Sequence, residues 1–146
     1  MRVTSDCPFV DYEMASEIVE LMGQTKKDVV LLNGELPRGL AVELISYDAL
    51  LKIDTLGKEP RHREHVTYYA YEFKEQFDTL IYNVPLNRQA PQFRITLDTE
   101  EDYNMLVEIA KHFNNPLVSS VEVIEFLREN PNVAAINAHI EQKPVV

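Results

Sequence analysis

The chain has 146 residues, a length that suits one domain. Hydrophobic residues make up 45% of it and charged residues 26%, which excludes a disordered chain. No stretch approaches the ~18 consecutive apolar residues of a membrane-spanning helix, so we expect no membrane partner. Fourteen Lys and Arg against 24 Asp and Glu give a net charge of −10, which repels nucleic acid. An anionic ligand would therefore need a local basic cluster or a metal ion.

The single cysteine, Cys7, cannot form an intrachain disulfide, and this agrees with a reducing compartment. The first residues contain no long apolar run ending at a cleavage site, so we expect no secretory signal and a cytoplasmic protein. Cys7 is interpreted as a buried structural thiol rather than a nucleophile, because no His or Lys lies nearby in sequence to lower its pKa.

Apolar periodicity predicts alternating strands and helices along the chain. Asp11, Ser46 and Thr99 with Asp102 are predicted to cap helices. The predicted strands are residues 2–4, as the end of a strand, 29–32, 41–46, 79–84 and 93–97, and the predicted helices are 12–22, 47–56, 63–73, 100–114 and 119–130, followed by an irregular tail. This alternation indicates an α/β layer architecture. With no repeat and no linker, residues 1–146 are predicted to form a single α/β domain.

Two aspartates follow predicted strands and precede predicted helices. Asp6 comes after residues 2–4, and Asp98 comes after residues 93–97. Ligands of open α/β sheets bind beyond the carboxyl ends of the strands, where two carboxylates can share one hard divalent cation such as Mg²⁺. Such a cation would orient a phosphate for in-line displacement. The alternative interpretation is that each Asp only caps a turn or a helix.

A basic cluster over residues 61–65 (RHREH) begins a predicted helix. It could hold a phosphate or a sugar carboxylate, because backbone N–H groups at a helix start also favour anions. It could equally be a solvated first turn. His62 and His65 could form half of a zinc site, although no CxxC or HExxH motif supports one. Tyr69 is predicted to belong to the core.

Several stretches in chain order resemble the motifs of cytidylyltransferases of the spore coat polysaccharide biosynthesis protein F type, relatives of the sugar-acid CMP transferases. RVTSDCPFVD at 2–11 is similar to R-[IV]-T-[GS]-D-C-P-x-[IV]-D, and PRGLAVE at 37–43 is similar to P-x-G-x-D-V-E. REHVT at 63–67 matches R-E-H-V-T, DTEED at 98–102 is similar to D-T-P-E-D, and the stretch from Glu125 to Lys143 is similar to the tail of that family.

The resemblance implies part of a three-layer, Rossmann-like nucleotide-diphospho-sugar transferase fold. It also implies transfer of a cytidylyl group from CTP to an acidic sugar, with release of pyrophosphate, for cell-surface or spore-coat polysaccharide synthesis. Asp6 and Asp98 would then be catalytic ligands of Mg²⁺ or Mn²⁺, and the enzyme would be a homodimer. The substrate-binding residues implied are Pro37, Gly39 and Glu43 on the sugar side, with Arg63, Glu64 and His65 beside the sugar or the dimer wall.

The chain departs from the family pattern at Ala41, where Asp is usual, at Tyr68, where Pro is common, and at Glu100, where Pro is usual. The Gly-rich, Arg/Lys-bearing nucleotide loop of such enzymes has no match in this sequence. We therefore expect the chain to be the C-terminal portion of a cytidylyltransferase, lacking the N-terminal nucleotide-binding strands and inactive by itself. The alternative is a non-catalytic α/β module that dimerises or binds a partner, since an exposed sheet edge favours self-association.

Overall fold

The computed structural model describes residues 1–141. In chain order its helices and strands are α1 (Tyr12–Thr25), β1 (Val29–Asn33), α2 (Tyr47–Leu56), α3 (Pro60–Glu64), α4 (Tyr68–Glu72), β2 (Thr79–Asn83), α5 (Glu100–Phe113), α6 (Ser120–Glu129) and α7 (Pro131–Ala134). The predicted α/β class is confirmed. Within residues 1–141, no helix is both long and apolar enough to cross a membrane.

The sheet is centred on β1 and β2, which pair in parallel with Val29 opposite Thr79 and Asn33 opposite Asn83. The chain between them, including α2, α3 and α4, forms the crossover that parallel strands require. On the other side of β1, Ile45 forms an antiparallel bridge with Val29.

The prediction of a strand over residues 41–46 is wrong, because this segment is not a regular strand. Its backbone hydrogen bonds alternate between two neighbours: Glu43 exchanges both of its bonds with Arg2, whereas the carbonyl of Leu44 accepts from Val30. The segment therefore forms isolated bridges rather than one continuous ladder.

The strand predicted over 93–97 is also wrong. Its only bridge within residues 1–141 joins Arg94 to Arg38 in parallel, whereas the Leu97 amide donates to the Asp6 carbonyl. This change of partner ends the ladder after one bridge and brings the segment beside residues 2–6.

The single helix predicted over 63–73 is wrong, because the structure has two short helices, α3 and α4. Helix α3 begins at Pro60 and ends at Glu64, and a tight turn follows in which Tyr68 N–H donates to the carbonyl of the C-cap residue His65 at 2.7 Å. The tail predicted to be irregular from Pro131 begins with α7, because proline at the first helical position has the φ angle that a helix needs.

The predicted caps are confirmed. Asp11 accepts from Met14 N–H at the start of α1, and Ser46 accepts from Ala49 N–H at the start of α2. Thr99 and Asp102 form a reciprocal capping box at α5. These local bonds satisfy backbone donors that a helix start otherwise leaves unpaired.

The core shows a three-layer arrangement around β1. Alternate β1 side chains face opposite sides, so Val30 packs with Met14 and Ile18 of α1, and Val29 packs with Ile53 of α2. A third apolar cluster lies between α5, α6 and residues 90–95, and Ile95, Ile109 and Ile124 are fully buried there. This last cluster supports the segment that carries Arg94 and Asp98.

Candidate functional site

A cleft of about 830 Å³ opens between residues 2–7, the loop 36–43, and residues 91–96. Five residues singled out from the sequence line it: Asp6, Pro37, Gly39, Glu43 and His65. The tail from Asn137 to Ile140 forms another part of its wall. The structure therefore brings together most of the predicted sugar-side residues and one of the two predicted metal ligands.

Asp98 stands just outside the cleft wall, next to residues that form it. Thr96 lines the cleft, and its hydroxyl donates to the Asp6 carbonyl at 3.1 Å. The amide of Leu97 donates to the same carbonyl at 2.8 Å. The backbones of the two predicted metal-ligand segments are thus joined directly, as neighbouring strand ends were expected to be.

Asp6 is held in its charged form. A hydrogen bond with the Thr4 side chain is the main cause that lowers the pKa of its carboxyl, and the positive charge of Arg38 contributes in the same direction. Asp6 is therefore ionised at neutral pH and can accept a cation without first losing a proton.

Asp98 belongs to a network that reaches the protein interior. Arg94 bonds Asp98 through Nη2 and contacts the buried Asp102 through Nε at 2.9 Å. Asn137 donates to the Asp102 carboxylate at 2.8 Å and to the Arg94 carbonyl at 2.9 Å. Burial opposes the charge of Asp102, but the bonds from Arg94 and Asn137 hold its pKa at about 2. The buried Asp102 thereby holds the Arg94 guanidinium in position, and the same guanidinium also contacts the more exposed Asp98.

Glu43 is the other carboxylate in the cleft wall, and it already has protein partners. Arg2 pairs with it, and the Thr67 hydroxyl donates to Oε1 at 2.7 Å. Burial, together with the charge of Glu43 and a hydrogen bond to it, raises the pKa of Tyr71. These contacts make Glu43 part of the rigid wall of the cleft.

The loop carrying Arg38 and Gly39 is tied closely to residues 93–96. Arg38 N–H donates to the Phe93 carbonyl at 3.2 Å, and its carbonyl accepts from Ile95 N–H at 2.7 Å. Gly39 has a φ of +96°, and a Cβ there would lie 2.0 Å from the Ile95 carbonyl oxygen. Only glycine fits this close approach.

The basic cluster 61–65 does not form one anion site. Arg61 pairs with Glu59 and Glu72, and the buried His62 contacts Glu72 through Nε2 at 2.6 Å. Arg63 contacts Asp54 at 2.6 Å, away from the main cleft.

Two residues of this cluster remain. Glu64 is exposed and does not line the cleft, whereas His65 lines it. The solvated-turn interpretation describes the exposed Arg63 and Glu64, whereas His62 is buried against Glu72. Tyr69 is buried, as predicted.

Cys7 does not have the surroundings of an activated nucleophile. Burial raises the pKa of its thiol, and the charge of Asp6 contributes in the same direction. Its sulfur lies 3.2 Å from the Thr4 hydroxyl oxygen. These contacts agree with a structural role.

Sequence reasoning missed the roles of Arg94 and Asn137. Arg94 appeared only as part of a predicted strand, and Asn137 only as part of the family-like tail. The spacing of Arg94 four and eight residues before Asp98 and Asp102 was the available signal. The structure gives that spacing its meaning, because the Arg94 guanidinium bonds to both carboxylates.

The two predicted metal ligands, Asp6 and Asp98, would supply carboxylate oxygens, which are the donors that hard cations such as Mg²⁺ prefer. Among residues 1–141, no group of three or more His, Cys, Asp or Glu side chains could hold a metal. Two carboxylates are nevertheless enough for Mg²⁺, which is commonly bound by one or two carboxylates together with substrate phosphates. The backbone of Asp6 is bonded to Leu97, the residue that precedes Asp98.

Comparison with known proteins agrees with the fold and the motifs. No known protein-family profile matches the chain. An uncharacterized protein of Methanocaldococcus jannaschii is 33% identical over 143 residues, covering 98% of this chain and 58% of that protein. The spore coat polysaccharide biosynthesis protein SpsF of Bacillus subtilis is 31% identical over 137 residues, covering 92% of this chain and 56% of SpsF.

A solved structure, that of a cytidylyltransferase from Leptospira borgpetersenii, superimposes with a TM-score of 0.80 at 26% identity, covering 95% of this chain and 58% of that one. The chain thus spans somewhat more than half the length of the proteins it matches. The end of the family-like tail, from Gln142 to Lys143, lies outside the described residues.

Proposed function

We propose that the chain is a cytidylyltransferase in type, as its likeness to SpsF and to a solved cytidylyltransferase supports, and that its cleft serves divalent-metal-dependent transfer of a cytidylyl group from CTP to an acidic sugar. In this reaction a sugar hydroxyl oxygen bonds to the α-phosphorus of CTP. The bond from that phosphorus to the pyrophosphate oxygen breaks, pyrophosphate leaves, and the hydroxyl proton is released to solvent. We further propose a cytoplasmic protein that serves surface-polysaccharide synthesis, as the name of SpsF suggests for that relative.

The observation that carries the proposal is the pair of hydrogen bonds from Thr96 and Leu97 to the Asp6 carbonyl. They hold Thr96 and Leu97, the residues just before Asp98, beside Asp6, which lines the cleft. Asp6 and Asp98 would hold Mg²⁺ or Mn²⁺, which supplies positive charge to neutralise and orient the phosphate oxygens. The net charge of −10 makes such local positive charge necessary for binding a triphosphate.

The protein's own residues would order the site. Arg94, anchored by Asp102, holds Asp98 in place, and the Thr4 hydroxyl keeps Asp6 ionised. Glu43 and the Gly39 loop shape the sugar side of the cleft, where Ala41 provides a small apolar surface in place of the family's usual carboxylate. The sugar acceptor would thus contact a cleft wall that has one carboxylate fewer than the family pattern.

The proposal is tested by titrating ¹⁵N-labelled protein with CTP, with and without Mg²⁺, while recording amide shifts. We expect CTP to shift cleft residues such as Gly39 and Thr96 only when Mg²⁺ is present. The Asp6→Asn and Asp98→Asn variants should lose this response, whereas Asp48→Asn, at an exposed position in the first turn of α2, should keep it. Equal shifts in the presence of a chelator, or no CTP-dependent shift at the cleft, would contradict the proposal.

A non-catalytic dimerisation module remains a second candidate, favoured by apolar side chains on the surface of α2. Tyr47 is 73% exposed, Leu51 is 50% exposed and Leu56 is 44% exposed. Clustered apolar surface is typical of interaction sites. Sedimentation equilibrium of the wild type and of Leu51→Glu would test it, since a dimer formed through α2 should dissociate in the variant. A dimer without the CTP response would favour this second candidate.

A further inference from the structure

We propose that Arg38 is the anion-binding residue of the cleft, and that it holds a phosphate or carboxylate oxyanion of the bound substrate. The inference deepens the proposed function, because it takes the cleft as the substrate site. It assigns to one residue the recognition of negative charge that an acidic chain must otherwise repel.

Three arginines line the cleft, and they differ in what they contact. Arg2 is paired with Glu43, and Arg94 is bonded to Asp98 and Asp102. Within residues 1–141, the Arg38 side chain has no carboxylate partner and donates no hydrogen bond to a protein group. Among the three arginines of the cleft, Arg38 is therefore the one whose guanidinium is not hydrogen-bonded to a carboxylate within the described residues.

The backbone of Arg38 is fixed even though its side chain is exposed. Its N–H and C=O groups bond to Phe93 and Ile95, and the neighbouring Gly39 is in close contact with Ile95. A side chain mounted on a rigid backbone loses little freedom of the main chain on binding a ligand. This arrangement suits a binding residue better than a surface arginine on a mobile loop.

The position of Arg38 relative to Asp6 indicates what it binds. Arg38 and Asp6 both line the cleft, Asp6 from residues 2–7 and Arg38 from the loop 36–43. An oxyanion lying between a cation bound at Asp6 and the Arg38 guanidinium would contact positive charge on both sides. Guanidinium groups bind phosphate and carboxylate oxygens with two parallel hydrogen bonds, so both sources of the oxyanion share this chemistry.

The test uses ¹⁵N-labelled protein without divalent metal, titrated separately with inorganic phosphate and with glucuronate at constant ionic strength. Both the amide signals of Gly39 and Thr96 and the Nε–H signal of Arg38 are followed. We expect saturable shifts for at least one anion in the wild type. Arg38→Gln should weaken that binding about tenfold or more, and Arg38→Lys, which keeps the charge but loses the two-pronged geometry, should weaken it less.

Arg128→Gln is the matched control, because it makes the same charge change at an exposed helix position outside the cleft. It should bind both anions as the wild type does. Loss of phosphate binding alone assigns Arg38 to the nucleotide phosphates, loss of glucuronate binding alone assigns it to the sugar carboxylate, and loss of both indicates a shared position.

The inference is overturned if Arg38→Gln binds both anions as tightly as the wild type, or if neither anion shifts the cleft signals. It is also overturned if Arg128→Gln weakens binding as much as Arg38→Gln does. Because no metal is present, these outcomes are independent of whether Asp6 and Asp98 bind Mg²⁺. Failure here and failure of the proposed function can therefore be distinguished.

Discussion

Gly39 and Ile95 approach so closely that a Cβ atom on Gly39 would lie 2.0 Å from the Ile95 carbonyl oxygen. The contact joins two of the segments that line the cleft, the loop 36–43 and residues 91–96. It involves backbone on both sides, so neither partner can relieve it by changing a rotamer.

The Gly39→Ala variant should therefore be destabilised by about 3 kcal/mol, because the new methyl group clashes with backbone at a positive φ. The measurement is the free energy of unfolding from urea denaturation. Gly23→Ala is the control: this glycine lies within α1 and a Cβ there meets nothing within 4 Å. That variant should be more stable than the wild type by about 0.5 to 1 kcal/mol. A Gly39→Ala variant as stable as the wild type would contradict the close approach.

The buried Asp102 is predicted to hold the site network together. Asp102→Asn removes the charge that pairs with Arg94, a side chain that is only 10% exposed, so we expect a loss of about 3 kcal/mol in unfolding free energy. Asp78→Asn is the control, because Asp78 pairs with Lys27 at an exposed position and should change stability by less than about 1 kcal/mol. Equal effects of the two substitutions would show that the Asp102 network contributes no more than a surface ion pair.

The pH dependence of stability follows from the same carboxyl group. Its pKa is about 2 in the folded protein, against an ordinary value of 3.8, so the unfolded chain takes up the proton first. The stabilisation, about 2 kcal/mol, is complete above about pH 5 and is lost as the pH falls towards about 2. Thermal melts across this range should show the melting temperature falling less steeply for Asp102→Asn than for the wild type. Parallel curves for the two proteins would contradict this assignment.

Arg88 is predicted to be the charge that compensates a buried carboxylate at the start of α1. Its Nε lies 2.9 Å from an oxygen of the fully buried Asp11, and its other nitrogens lie 3.3 Å from Glu13 and Glu17. Arg88→Met leaves these negative charges uncompensated and should cost about 3 to 5 kcal/mol in unfolding free energy.

Arg128→Met, at an exposed position, is the control for Arg88 and should cost less than about 1 kcal/mol. Urea denaturation measures both variants. If Arg88→Met unfolds at the same urea concentration as the control, Arg88 has no such compensating role.

Local signals in the sequence predicted much of the fold. Asp11, Ser46 and Thr99 each cap the helix expected of them, because a capping side chain bonds to backbone only two or three residues away. The apolar run at β1 likewise predicted a strand covered on both faces. Such features depend on neighbours in sequence, which a single chain displays directly.

What the sequence did not predict depends on distant partners. The segments 41–46 and 93–97 have strand-like composition, but their hydrogen bonds go to different neighbours along their length. The helix expected over 63–73 is divided because a turn at His65 separates α3 from α4. The periodicity of apolar residues does not show which distant segments a stretch of chain will bond to.

In the candidate site, too, the sequence predicted local features but not contacts between distant residues. The strand-end argument selected Asp6 and Asp98, whose segments prove to be bonded to each other. Motif spacing could not show that Arg63 pairs with Asp54, since that pairing arises from the way α3 folds back on α2. Nor could it show that Asn137 reaches across to Asp102.

The central claim, that Asp6 and Asp98 hold one divalent cation at the cleft, is tested most directly by Mn²⁺ titration of the ¹⁵N-labelled chain. Paramagnetic broadening should appear first and together at the amides of Asp6 and Asp98, and excess Mg²⁺ should reverse it. Either Asp6→Asn or Asp98→Asn should abolish the broadening at both positions. Broadening at only one of them, or at neither while other carboxylates respond, would contradict the claim.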